Sequence, residues 1–359
     1  MSRGRRTTLG VRGLLLGLLL ALTLCACGSS GNEAMLNTYL ARLARPLNAS
    51  ATPVAARVDA PPRAEALMLS IASDSLDGLD FLRLRGCALQ ATVARRNSSL
   101  GRVAPPSQRL LLELAFLREA PPCIDKLDND GERELAGQLR EAITRKTAQL
   151  PRLIFNATLA SIEFRDFWRS TRLPPDYPAN TNSLVVTALE HIVSDTERWL
   201  AGDYAADERR FELALSTVAQ GDGGELLRAL QLQHNALTQA NRLIEQRRSQ
   251  GPLCRAGLKP DAADVLRTVA RKYFVGEVQR WSASLSQRFH ALTPPFTTLE
   301  NTLSGVLPPS YRQWQAARNQ LLSEGMDAPA AHVTQLQNLL GSCYAEFGPE
   351  ASAPGRKQP

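Results

Sequence analysis

The chain has 359 residues, 44% hydrophobic and 21% charged, enough apolar material for a substantial core and too much for a disordered polymer. Its formal charge is +7, but Arg3, Arg5, Arg6 and Arg12 fall in an N-terminal segment expected to be removed, so the body keeps only +3. That charge is mostly arginine spread along amphipathic stretches, which argues against a nucleic-acid partner needing one basic face.

Residues 3–12 form a positive opening, and Gly13 to Leu24 form a twelve-residue apolar run, too short to span a bilayer and suited to a secretory signal. Leu24, Cys25, Ala26 and Cys27 then resemble the lipobox of bacterial lipoproteins, with Cys27 as the lipid-bearing residue. Cys25 fits less well, because the bulky Leu24 would precede the cut. The expected organisation is a signal peptide over 1–26, a lipidated tether over 27–32, one all-helical domain over 33–347 with two halves meeting near 170–182, and a disordered tail over 348–359. Gly28, Ser29 and Ser30 follow the modified cysteine with no Asp at the second position. By the sorting pattern of Gram-negative lipoproteins, this places the protein at the periplasmic face of the outer membrane.

The body reads as successive helices punctuated by proline. Met35, Leu36, Tyr39, Leu40 and Leu43 mark the first helix, ended by Pro46. A Pro and Ala rich linker follows through Pro61 and Pro62, with Leu67 to Ile71 the one short strand candidate. Leu79, Leu82, Gly86, Leu89 and Val93 form the next stripe. Beyond a connector from Asn97 to Pro106, Ser107 is the expected N-cap of a helix carrying Leu110, Leu114 and Leu117 and stopped by Pro121 and Pro122. Leu135, Leu139, Ala142 and Leu150 define a helix ended by Pro151, and Phe164, Phe167 and Trp168 a short aromatic one. The second half opens with Val185, Leu189, Ile192 and Trp199. A short helix carries Phe211 and Leu215. A turn from Gly221 to Gly224 leads into a long helix with Leu226, Leu230, Leu237 and Ile244. Phe274 to Leu292 forms another. Tyr311, Trp314 and Leu321 are assigned to a penultimate helix, and Val333, Leu336, Leu340, Cys343 and Phe347 to the last. The fold class is therefore all-α, an irregular multi-helix bundle.

Cys87, Cys123, Cys254 and Cys343 remain in the body, and an even count in an oxidising compartment reads as two disulfides. Three pairings are possible. Cys87 with Cys123 and Cys254 with Cys343 is favoured, since each then closes within its own half. No zinc-like Cys-x-x-Cys spacing occurs, so no metal or other cofactor is expected.

Searches for chemistry are mostly negative. The acidic turn from Lys126 to Gly137 lacks the end ligands of a calcium loop, and Gly221 to Gly224 lacks the Lys of a phosphate loop. No catalytic residue is assigned. His191 with Asp195 four residues on, and Glu190 beside it, is the beginning of a general base without a nucleophile. His234 is expected to be a core histidine, and the four tryptophans core side chains. The stretch most like a signature is the donor-rich connector Arg95, Arg96, Asn97, Ser98, Ser99, Gly101 and Arg102, a candidate anion-binding or partner-binding loop.

That connector, with Leu79 to Cys87 and Phe155 to Thr158, resembles the family known as domain of unknown function 3080, Gram-negative lipoproteins of similar length. The resemblance covers nearly the whole mature chain and implies one lipoprotein unit, with no activity to carry over. The leading expectation is a non-enzymatic envelope lipoprotein, bound to the membrane through its N-terminal lipid, whose partner is an envelope protein or a cell-wall component. Alternatives are a module holding a small apolar ligand between helices, or a hydrolase using His191 with a nearby carboxylate.

Overall fold

The computed structural model describes residues 31–72, 83–170, 172–255 and 258–344. Cys27, the signal segment, Leu79, Leu82, Phe347 and the tail over 348–359 lie outside the described residues. The described residues form helices and no strand, apart from one isolated bridge between Arg255 and Leu258.

Helix α1 (Asn32–Ala44) is followed by a 3-10 turn, an irregular strap, and the short α2 (Ala64–Leu67). Next come α3 (Ala88–Asn97), α4 (Ser99–Arg102), α5 (Pro106–Asn129) and α6 (Arg133–Ala157). The rest are α7 (Ile162–Phe167), α8 (Leu184–Leu200), α9 (Glu208–Ala219), α10 (Gly223–Arg248), α11 (Asp261–Val269), α12 (Gln279–Thr302) and α13 (Pro309–Leu340). A π-helical stretch, Ala270–Val278, joins α11 to α12 without a turn.

Five of these elements differ from the sequence reading; in one, the stripe read through Gly86 is interrupted because Gly86 takes a φ of +86°, and α3 begins at Ala88. Pro121 and Pro122 do not stop α5, nor Pro151 α6, nor does a break separate two terminal helices, because Pro329 lies inside α13. In each case the apolar stripe keeps its phase across the proline. Leu117, Ala120, Ile124 and Leu127 are all buried along α5, and burial on both sides outweighs the lost backbone bond. The N-cap of α5 is Pro105 with Pro106 at N1, whose missing N–H would be unpaired there anyway, while Ser107 is buried inside. The strand candidate over 67–71 is the end of α2 and an extended stretch whose Leu69 backbone is clasped by the Asn156 side chain rather than by another strand.

Buried apolar residues divide into two clusters. The larger runs from Leu36 to Leu340 and draws on both sides of 170–182, so that stretch does not separate two cores. Its centre is aromatic: the Phe296 ring stacks on Phe167 at 5.8 Å and meets Trp168 edge-on at 4.9 Å. Helices α10 and α13 cross closely where Gly325 faces Leu230; a β-carbon there would lie 2.6 Å from that of Leu230. The smaller cluster is built by α3 with the distal halves of α5 and α6, from Leu84 to Ala142. It forms an arm in which Phe116 is the only buried aromatic among the described residues.

The disulfides are Cys87–Cys123 and Cys254–Cys343. The first ties α3 to α5 in the arm, and the second ties the segment before α11 to the end of α13.

Candidate functional site

The connector singled out from the sequence is not a plain loop. Arg95, Arg96 and Asn97 complete α3; Ser98 caps α4, its Oγ accepting from the Gly101 N–H at 3.0 Å and donating to the Arg95 carbonyl at 2.7 Å. Ser99, Gly101 and Arg102 lie within α4. Gly101 is required, since a β-carbon there would sit 2.1 Å from the Arg95 carbonyl oxygen. The structure then splits the arginines. Arg96 turns inward, its Nε 2.7 Å from Glu113, while Arg95 and Arg102 stay exposed. Arg95 borders a cavity of about 110 Å³ with Gln108, Arg118, Tyr204 and Glu208, bringing two arginines and a phenol from three separate segments together.

Beneath this surface lies a charge cluster that sequence reasoning missed. Glu113, on α5, is only 4% exposed and accepts from Lys146 Nζ at 2.5 Å, while Arg96 holds its other oxygen. Lys146, on α6, also lies 4.7 Å above the Phe116 ring. The signal was present: Leu139, Ala142, Lys146 and Leu150 follow one helical stripe, so a lysine occupies a seat that must be buried.

A cavity of about 450 Å³ opens beside the start of α1, bordered by Asn32, Thr181, Trp281, Ser284, Gln287 and Arg288 among others. Its floor is an ion pair between Arg288 and Asp222, with Arg288 Nε 2.9 Å from Asp222 Oδ2. The Tyr177 hydroxyl donates to the same Oδ2 at 2.8 Å, and burial together with the Asp222 charge pushes the Tyr177 phenol far above its ordinary range. Two donors converge on the Tyr177 carbonyl beside the cis bond to Pro178: Asn32 Nδ2 at 2.6 Å and Trp281 Nε1 at 2.8 Å. Asp222 reaches this place because Gly223 and Gly224 let α10 press on α7; β-carbons there would come within 2.4 Å of Phe167 and 2.7 Å of the Trp168 carbonyl. Arg288 also sits on an apolar stripe, with Trp281, Leu285 and Leu292, the same signal as at Lys146.

The histidines fall differently from expectation. His191 is exposed, and Asp195, four residues on, is buried and held by Arg198 at 2.7 Å and Arg210 at 2.5 Å, so the two do not form an acid–base pair. His234 is not a core residue; its side chain is 33% exposed, because it faces Glu324 at the edge of α13. The core histidine is His332, 0% exposed, with Tyr39 Oη 2.5 Å from Nε2 and Asn241 Oδ1 2.6 Å from Nδ1. Burial lowers its pKa to about 3, so at neutral pH it is an uncharged link between α1, α10 and α13. Trp168, Trp199, Trp281 and Trp314 are all buried, as read from their stripes. Among the described residues, no cluster of three or more His, Cys, Asp or Glu could hold a metal, and no helix is long and apolar enough to cross a membrane.

These features define an all-helical protein with two internal disulfides, a solvent-open polar cleft and its buried charged groups committed to structural pairs. The family described as "Protein of unknown function (DUF3080)" matches residues 36–346, and the chain belongs to it. No curated protein and no solved structure matches the chain.

Proposed function

We propose that this is a lipid-anchored envelope protein, acylated at Cys27 and held at the periplasmic face of the outer membrane, that acts by binding rather than by catalysis. The observation that carries this reading is the position of Gly31 and Asn32, the first described residues. Gly31 adopts a φ of +78°, Asn32 N–H donates to the Pro175 carbonyl at 3.2 Å, and the Asn32 side chain is a wall of the 450 Å³ cleft. Cys27 and Asn32 are five residue steps apart, a reach of at most about 18 Å. An anchor at Cys27 therefore keeps the cleft against the bilayer surface, and acyl chains stabilise that placement by about 0.8 kcal/mol per buried methylene. The cleft walls offer hydroxyl and amide groups and the exposed Asp176 carboxylate beside the Arg288–Asp222 ion pair, which suits a hydrogen-bonding polar group that is not an anion.

An apolar ligand between helices has less support. The cavity beneath Pro61 and Pro62 is apolar but holds only about 10 Å³, room for a water and not for a lipid. Hydrolysis at His191 loses its carboxylate, since Asp195 is committed to two arginines.

The test is twofold. Labelled palmitate should enter the unaltered chain and not Cys27→Ser, which should leave the membrane fraction. A photocrosslinking side chain at Gln287, on the cleft rim, should capture an envelope component that the same probe at the exposed Leu213 does not. Equal capture at both positions would sink the cleft assignment, and retention of Cys27→Ser in the membrane would sink the anchor.

A further inference from the structure

The strap between α1 and α2 is held in an unusual way. It crosses α10 without forming a backbone ladder, and its main chain is read by side chains. Gln239 accepts from the Thr52 N–H at 2.9 Å and donates to the Thr52 carbonyl at 3.1 Å. Asn235 donates to the Ala55 carbonyl at 2.9 Å and Arg228 to the Ala56 carbonyl at 2.9 Å. At the far end Asn156 clasps Leu69 in the same two-handed manner, with both bonds at 2.8 Å. Amides that bond both the N–H and the carbonyl of one residue recognise an extended backbone whatever its side chains. Between the two clamps, Pro61 and Pro62 lie over a wall of aromatic side chains that includes Phe164, Trp168, Tyr311 and Trp314. Aromatic-lined clefts that accept a proline pair are a recurrent device for holding extended polypeptides.

The strap is also an imperfect occupant. Arg165 Nε and Trp168 Nε1, both on residues lining the small cavity under the prolines, are buried and find no acceptor. Arg228 Nε, on the guanidinium that holds Ala56, is a third such donor. Buried donors are nearly always paired, so three along one groove mean that this backbone does not supply every acceptor the groove can use. Only Val54, Pro61 and Leu67 of the strap over 50–70 are buried.

We propose that this groove is a binding site for an extended, proline-containing polypeptide of another protein, and that residues 50–70 fill it in cis until such a segment takes their place. The ligand is a chain extended at both clamps, with a Pro-Pro pair between them; in the strap itself the turn of α2 lies between the prolines and the second clamp. Amides on α10 and α6 take its backbone, and the Trp168 indole donates to one of its carbonyls.

The probe is a fluorescent synthetic peptide of residues 50–70, titrated against the full mature chain in detergent. The unaltered chain should bind it weakly, because the tethered strap competes at a millimolar effective concentration. Val54→Asp with Leu67→Asp alters only the strap and should tighten peptide binding by about tenfold or more once that competition is relieved. Gln239→Ala with Asn156→Ala in that background should abolish the gain, and a peptide with both prolines replaced by Ala should not bind. If the loosened variant keeps the parent's helical circular dichroism and binds no better than the unaltered chain, the proposal fails. Dimerisation of that variant on a sizing column would also overturn it, in favour of strap exchange between copies. Should the variant not fold, hydrogen exchange of the unaltered chain decides: excess peptide must speed exchange of the Thr52 and Leu69 amides, and unchanged exchange overturns the proposal.

Discussion

The arm and the main body solve the same problem with different means. The body has length on its side: helices of 26 and 32 residues, α10 and α13, cross around an aromatic centre, and buried polar groups such as Glu300, Arg318 and Tyr311 bond one another within it. Among the described residues the arm buries one aromatic ring and otherwise aliphatic side chains and Cys123, and its surface ion pairs, Arg83 with Glu132 and Arg140 with Asp128, are solvent-exposed and contribute little. A disulfide takes the place of core volume there. The two regions share α5 and α6, and where they meet stands Glu113 with its two cations. The difference teaches that the dividing line of this protein runs across helices rather than between them.

The largest effect should come from breaking that junction. Glu113→Ala leaves Lys146 buried without its partner and should cost about 3 to 5 kcal/mol in urea unfolding, whereas Glu113→Leu with Lys146→Met should recover most of the loss. A loss below about 1 kcal/mol for the single change would show that water reaches Lys146 and that the junction is not sealed.

Replacing Cys87 and Cys123 by Ala removes a cross-link over 36 residues and should cost about 3 to 4 kcal/mol. Hydrogen exchange should localise the loss to α3 and the distal halves of α5 and α6. Uniform loss across α10 and α13 would mean that arm and body unfold as one unit.

Acid should separate the regions in the opposite sense. The pKa of His332 is about 3 when folded and near 6.5 when unfolded, so the unfolded state binds the extra proton between those values. Stability from this group is fully present above pH 6.5 and lost as pH falls toward 3, about 2 kcal/mol of it by pH 5. All four histidines lie outside the arm, so the body should soften first, and His332→Gln should flatten its pH dependence between 7 and 5. Equal softening of the arm would refute the assignment.

The smallest effect on folding is expected at the surface connector. Alanine at Arg95, Arg102 and Arg118 should change stability by less than about 0.5 kcal/mol. The same triple should reduce capture of an envelope partner if the arm is a contact surface, and unchanged capture would remove the connector from the binding account.

Much of this was legible beforehand. Helical periodicity and the burial of Trp199, Trp281 and Trp314 could be read from spacing, and the observed disulfide pairing was the one favoured among three because each bridge closes within its own half. What the sequence hid was chiefly a matter of reading proline as a stop. Pro121, Pro122 and Pro151 lie where the stripe continues unbroken, and treating them as ends concealed α5 and α6 as the shared girders of arm and body. The same habit obscured the buried ions. Glu113, Lys146, Arg288, Arg318 and His332 each take an apolar seat, but partners such as Asp222 and Tyr39 come from distant segments, and one stripe cannot name them. The strap's clamps lie beyond reach for the same reason, since Gln239 follows Thr52 by 187 residues.

The order of the cysteines carries a consequence for how the molecule is made. Among the four cysteines that follow Cys27, each bridge joins neighbours in sequence, Cys87 to Cys123 and Cys254 to Cys343. Where thiols oxidise as they emerge, the arm's bridge can close once residue 123 appears, before any of α10 or α13 exists. Cys254 must then wait 89 residues for its partner, with Cys87 and Cys123 already joined. A chain threaded from its N-terminus therefore meets the correct pairings by default, and an oxidant that acts only on the finished, unfolded polypeptide faces all three.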